Sequence, residues 1–180
     1  MPTETSESLI LAPQSVVLDT NTVMALWHFR DPKLRHLRTE VEAGRLKPFL
    51  RPDCREELRR VLAYPQFSIP EEGQALLMAD YMALCSELPQ IDPMPELPRC
   101  RDSDDQKFLE LAIQAKAAVL LSRDKALLRL ARHRLLRDRI QIITPERQEA
   151  DLAEAKAFFT QRNGATEQGE NLVGEERPAF

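Results

Sequence analysis

The chain has 180 residues, 43% hydrophobic and 30% charged, with a formal net charge of −4. One domain is the default at this length, able to bury about 70% of its unfolded surface, and no apolar run approaches the roughly 20 residues that span a bilayer. Only Gly44 and Gly73 lie within the body, His28, His36 and His133 form no zinc-type pair, and no serine stands in a nucleophile elbow, so glycine-loop nucleotide binding, zinc chemistry and serine hydrolysis are excluded and any chemistry falls to carboxylates.

The N-terminal stretch MPTETSESLILAP carries no basic residue ahead of its short apolar patch, so no secretory signal is expected. Cys54, Cys85 and Cys100 are scattered, the usage of a cytoplasmic protein with reduced thiols. Residues 1–14 read as an extension ahead of the domain. At 15–23, SVVLDTNTV, the apolar run 16–18 suits a buried parallel strand, and Asp19 stops it. Val23, Ala25, Leu26 and Phe29 then restart the apolar pattern at helical spacing over 21–29. Asp19 can cap that helix. It also stands at the rim where open α/β sheets bind ligands, and a buried charge there needs a partner or a metal.

Asp31 and Pro32 signal a second helix, with Leu34, Leu37 and Val41 on one face and Gly44 past its end. Residues 47–51 read as a strand, and Pro52 and Asp53 open a helix carrying Leu58, Val61 and Leu62, with Glu56 and Glu57 in its early turns. Tyr64, Pro65, Gln66 and Phe67 break it. A longer helix follows from Pro70, with Leu76, Leu77, Tyr81, Leu84 and Leu88 at helical spacing. The four prolines of 89–98 make an extended connector.

The cluster RDSDD at 101–105 precedes a helix marked by Phe108, Leu111, Ala112 and Ala115. Asp102 or Ser103 suffices as its N-cap, so Asp104 and Asp105 exceed what capping needs. A strand over 118–121 ends in Ser122, Arg123 and Asp124 and enters a helix over 124–135. This repeats the opening unit of strand, carboxylate and helix. A strand over 140–143 and a helix over about 146–160 complete the domain, and 161–180 read as a disordered acidic tail.

Strands alternating with helices imply a three-layer α/β/α arrangement around a central parallel sheet, its domain spanning 15–160. Asp19, a glutamate of 56/57, an aspartate of 104/105, and Asp124 can then meet at one sheet edge. At an effective dielectric near 20, each like-charged pair at about 4 Å costs on the order of 4 kcal/mol, so such a set calls for a cation. All-oxygen ligation suits Mg²⁺ or Mn²⁺ rather than zinc, and an ion so held can activate water against a phosphodiester.

These stretches resemble the PIN-domain family, and within it the bacterial VapC-like toxin components of toxin–antitoxin systems. The matching pieces are VVLDTN at 16–21, EELRRVLAYPQF at 56–67, DSDDQKFLELA at 102–112, LLSRDKALL at 120–128 and IITP at 142–145. The resemblance implies a Mg²⁺- or Mn²⁺-dependent endoribonuclease that cuts single-stranded RNA and is held inactive by a small antitoxin protein, with a homodimer left open. It aligns Asp19, Glu57, Asp105 and Asp124 with the family's metal-binding catalytic carboxylates. Asn21 and Ser122 fall at supporting positions, beside Asp102 and Asp104. Ser103 replaces the proline of the commoner aspartate–proline start.

Between Arg123 and Arg139 seven Lys or Arg face two Asp, so Lys125, Arg129 and Arg132, with Arg134, are candidate RNA phosphate contacts; an ordinary solvated face is the plainer reading. Two rival functions share this pattern. A haloacid-dehalogenase-type phosphatase places a second aspartate two residues after the first, where this chain has Asn21. A catalytically silent PIN-fold binding module keeps the fold without the chemistry.

Overall fold

The computed structural model describes residues 12–167, with side chains through 157. The N-terminal extension up to residue 11, and the acidic tail from 168 onward, lie outside the described residues. Five strands form one sheet in the order β3-β2-β1-β4-β5, every pairing parallel. They are β1 (Gln14–Leu18), β2 (Leu46–Leu50), β3 (Ser86–Glu87), β4 (Val119–Leu121) and β5 (Gln141–Ile143). Helices flank the sheet on both faces, giving the three-layer α/β/α architecture: α1 (Thr20–Val23), α2 (Arg35–Glu42), α3 (Pro52–Leu62), α4 (Glu71–Leu84), α5 (Gln106–Gln114), α6 (Lys125–Leu130) and α7 (Pro145–Glu167).

The middle strand explains the order. Val16, Val17 and Leu18 are all buried, as a strand covered on both faces requires. Register then matters: Leu18 pairs with Leu121, so the residues that follow each, Asp19 and Ser122, emerge together at the carboxyl edge. Beyond α1 the chain makes one turn of π-helix, Met24–His28, and Arg30 takes a left-handed φ of 49° before the next element. A 3₁₀ turn, Pro32–Leu34, capped by Asp31, leads into α2. At its far end Gly44 holds φ +73°, the left-handed stop that glycine takes without strain.

At the carboxyl end of β2, fully buried Arg51 ion-pairs Asp53 at 2.6 Å and Glu110 at 3.2 Å. This pins the start of α3 to α5, the two helices that bring acidic residues to the sheet edge. A buried charge persists because both partners are carboxylates within hydrogen-bond reach.

Three boundaries differ from the sequence reading. The helix expected to carry Leu88 ends at Leu84, and Ser86–Glu87 form an edge strand beside β2, continued where Leu88 N donates to Leu50 O at 2.8 Å. The helix expected over 124–135 ends at Leu130. One more turn would set Arg134 on the face of buried Leu127, and the chain instead turns to bury Leu136 and Ile140. At the other end α7 runs to Glu167, so residues 161–167 of the expected tail have helical backbone. Among the described residues the three cysteines are free thiols, and no helix is long and apolar enough to cross a membrane.

Candidate active site

Asp19 leaves β1 with its amide still donating to Leu121 O at 3.1 Å, then turns (φ −69°, ψ 164°) so that its carboxylate lies over the start of α1. Oδ1 accepts from Thr22 N at 2.7 Å, and Oδ2 accepts from Ser122 Oγ at 2.5 Å. Asp19 is thus both helix cap and rim carboxylate, since a carboxylate has more lone pairs than a cap consumes. Burial raises its pKa, against the lowering effect of the Ser122 and Thr22 bonds.

Ser122 is fully buried, and its hydroxyl also accepts from Asp124 N at 2.9 Å. Asp124 in turn caps α6, its Oδ1 accepting from Ala126 N at 2.6 Å and Leu127 N at 3.2 Å. Its second oxygen has no hydrogen-bond donor among the described residues.

On α3 the adjacent glutamates diverge, because neighbouring helical residues point about 100° apart. Glu56 turns outward to an exposed ion pair with Arg59 at 2.6 Å. Glu57 turns inward, where its Oε1 accepts from Thr20 Oγ1 at 2.7 Å and its Oε2 is ion-paired with Lys107. The fourth carboxylate comes from a 3₁₀ turn, Ser103–Asp105, capped by Asp102, whose Oδ1 accepts from Asp104 N at 3.0 Å. Asp104 is exposed at the rim, whereas Asp105 is half-buried. Among the described residues nothing donates to the Asp105 carboxylate. Its pKa is pushed up to about 7, first by burial and then by the charges of Asp124, Asp102, Asp19 and Glu57.

A cleft of about 230 Å³ collects Asp19, Asn21, Glu57, Asp104 and Asp105, with Thr20, Arg60 and Tyr64 completing its polar wall. Asp124 does not line it, yet its charge reaches Asp105. Asp102 stays behind the turn as a cap. Lys125, Arg129 and Arg132 lie elsewhere, lining a separate open hollow with Leu128; Arg132 stands in the turn after α6 rather than on it.

Among the described residues no three His, Cys, Asp or Glu side chains stand together in a ligating array. Glu57 is engaged by Lys107, while Asp19 and the Oδ1 of Asp124 hold backbone amides. The donor chemistry nevertheless fits a hard divalent cation. Every group is a carboxylate or hydroxyl oxygen, and Asp105, with no donor of its own, feels all the other negative charges.

Sequence reasoning missed Lys107, Thr20, Arg60 and Tyr64. Lys107 and Glu57 are fifty positions apart, so no local spacing announces their pairing. Tyr64 read only as part of a helix-breaking segment, although an aromatic beside a proline at a helix end was the available sign.

The PIN-domain family model matches residues 15–126, the stretch that runs from β1 past Asp124. No curated protein matches the chain. Members of the matched family are generally nucleases that use divalent metal ions. With a parallel sheet of this order and acidic residues gathered at the carboxyl ends of β1 and β4, the chain belongs to the PIN-domain family.

Proposed function

We propose that the protein is a Mg²⁺- or Mn²⁺-dependent endoribonuclease that cuts single-stranded RNA in the cleft bounded by Asp19, Glu57 and Asp105, with Asp124 close behind. The observation that carries this reading is Asp105, a half-buried carboxylate with no hydrogen-bond donor among the described residues, set among other acidic groups. Such a group gains most from a cation. When bound, a divalent ion supplies an acidified water and positive charge for the leaving oxygen.

The chain's own residues have distinct parts in this scheme. Asp19, Asp105, Asp124 and Glu57 would hold the ion. Ser122 and Thr22 orient Asp19, and Thr20 orients Glu57. Asn21, exposed at the cleft, can donate to a phosphate oxygen. Arg60 can do the same from the opposite wall. Lys125, Arg129 and Arg132 offer a second patch of positive charge for the strand.

The resemblance to VapC-like toxins supports a further reading, that a small antitoxin protein holds this activity in check in the cytoplasm and that residues 15–160 act as the nuclease unit. Incubating labelled single-stranded RNA with wild type and Asp105→Asn, with Mn²⁺ or EDTA, tests the core of it. Cleavage that needs both Mn²⁺ and Asp105 is the expected result; equal cleavage by the variant sinks the assignment. The ion pair of Lys107 on Glu57 favours one other reading, a catalytically silent PIN module. Failure of wild type and Lys107→Met alike to cut any strand with Mn²⁺ would decide for that module.

A further inference from the structure

Aromatic rings continue outward from the acidic cleft. Tyr64, which lines the cleft, is nearly parallel to Phe67, with ring centroids 6.5 Å apart and planes at 17°. Phe67 meets Phe29 at 5.8 Å and His28 at 5.7 Å, both edge-on, and His28 meets Phe29 at 4.6 Å. His28 and Phe67 are half-buried, Phe67 against the edge of the core, and the other two rings stand out from it. Phe29 is 58% exposed and Tyr64 45%. At the far end His28 joins Arg30 and Trp27 in the wall of a second cleft of about 430 Å³. The ring series therefore runs from one cleft to the other, with Phe29 and Tyr64 its open faces.

Backbone strain borders it on both segments. Arg30, directly after Phe29, holds φ 49°, and Ser68, directly after Phe67, holds φ 50°. Left-handed backbone at residues other than glycine persists only where the surroundings over-determine it, and such positions cluster at functional sites. Arg30 and Arg60 rim the rings at opposite ends, and neither has an ion-pair partner among the described residues.

We propose that Tyr64, Phe67, Phe29 and His28 form a ledge on which unpaired bases of a single-stranded nucleic acid stack, beside the bond that is cut. This rests on the carboxylate cleft being the cutting site. A cleft walled by carboxylates repels a phosphodiester, so affinity close to it has to come from uncharged contact, and base-on-ring stacking supplies that. Unpaired Arg60 and Arg30 answer the phosphates that follow such bases. A duplex keeps its base faces covered and cannot use the ledge, so the occupant is single-stranded.

The test reads binding, with cleavage removed by an Asp19→Asn background. The probe is a single-stranded RNA of roughly ten nucleotides carrying one 2-aminopurine at successive positions, compared with the same strand made abasic there. Phe29→Ser with Tyr64→Ser is the variant, since both rings are exposed and their loss spares the core; melting curves check the fold. On the parent, 2-aminopurine fluorescence falls on binding, and the variant loses that quenching and binds on the order of tenfold more weakly. The abasic strand binds both proteins equally. Unchanged RNA affinity in a folded variant overturns the ledge. So does a variant that alters only self-association or capture of a protein partner, which would make the rings a protein-docking face. Cleavage is scored separately in wild type and Lys107→Met with Mn²⁺, so its absence from both refutes the carboxylate reading and is distinguishable from any failure of the ledge.

Discussion

Ser122 donates to Asp19 at 2.5 Å while its hydroxyl accepts from the Asp124 amide at 2.9 Å. One buried hydroxyl thus ties the Asp19 carboxylate to the backbone amide of Asp124 and orients the first. Replacing it with alanine removes the donor from a buried carboxylate and the acceptor from a backbone amide. Ser122→Ala should therefore destabilise the fold by about 1–3 kcal/mol. It should also move the acidic limb of any pH–rate profile upward, because the Ser122 bond is the largest of the hydrogen bonds that oppose the rise in the Asp19 pKa. Urea unfolding and a pH–rate series check the two parts, and an unmoved acidic limb would leave Ser122 a packing residue only.

Adjacent carboxylates should separate sharply. Glu57→Gln is expected to lower RNA cleavage at least tenfold more than Glu56→Gln, because Glu56 points into an exposed pair with Arg59. Exposed pairs of that kind are screened by water and contribute little, so Glu56→Gln should leave stability nearly unchanged. Likewise Asp105→Asn should cost far more activity than Asp104→Asn. Equal losses within either pair, in initial rates under one metal concentration, would contradict the assigned faces.

Lys107 stands where it competes for Glu57. Removing its ammonium with Lys107→Met takes away the positive charge paired with Glu57 beside the acidic cleft, so carboxylate repulsion in the metal-free protein should grow and its melting temperature should fall. The same change frees Glu57, and Mn²⁺ should bind the variant tenfold or more tightly. Titration followed by the paramagnetic signal of free Mn²⁺ measures this directly; weaker binding would show that Lys107 organises the site rather than guarding it.

A fold is legible in its sequence where its elements leave a local signature. Val16, Val17 and Leu18 form an uninterrupted apolar run, and the same holds for Val119, Leu120 and Leu121, so the sheet centre and the carboxylates ending it were legible. β3 was not. Ser86 and Glu87 are two polar residues on an edge strand, and Leu84 and Leu88, four apart, imitate a helix face. Leu88 joins the sheet by the hydrogen bond its amide donates to Leu50 O, which has no side-chain pattern. The shortening of α6 was visible in principle, since Arg134 falls on the Leu127 face. The partners of Glu57 were hidden for a different reason: Thr20 and Lys107 lie 37 and 50 positions away and meet it only in three dimensions.

The hollow lined by Lys125, Arg129 and Arg132 should act through charge alone. Arg129→Gln with Arg132→Gln is expected to weaken RNA binding about equally for all sequences and to flatten the slope of log affinity against log salt by roughly 1–2, the number of phosphates no longer neutralised. Fluorescence anisotropy at several salt concentrations gives the slope. An unchanged slope would return these residues to the role of a solvated face.

Asp105 makes stability itself a readout. Its folded pKa is about 7, raised from 3.8, so the folded protein binds this proton more tightly than the unfolded chain does. Stability of the metal-free protein should therefore fall as pH rises from about 4 to about 7 and then level off, because the unfolded carboxylate has already ionised where the folded one is still being forced to. Asp105→Asn carries no such charge. In EDTA near pH 8 it should melt above wild type by on the order of 1 kcal/mol, roughly 2–4 °C, the modest figure reflecting a carboxylate only half-buried. Below about pH 4 that advantage should vanish, since Asp105 is then protonated in the folded and the unfolded chain alike. Excess Mn²⁺ should reverse the order: at about a hundred times its dissociation constant it adds about 2.7 kcal/mol to wild type, and the variant, lacking one charge toward the ion, gains less. An Asp105 that served only as surface charge would give parallel pH curves and equal responses to Mn²⁺, and melting both proteins across pH with EDTA and with Mn²⁺ separates the two cases.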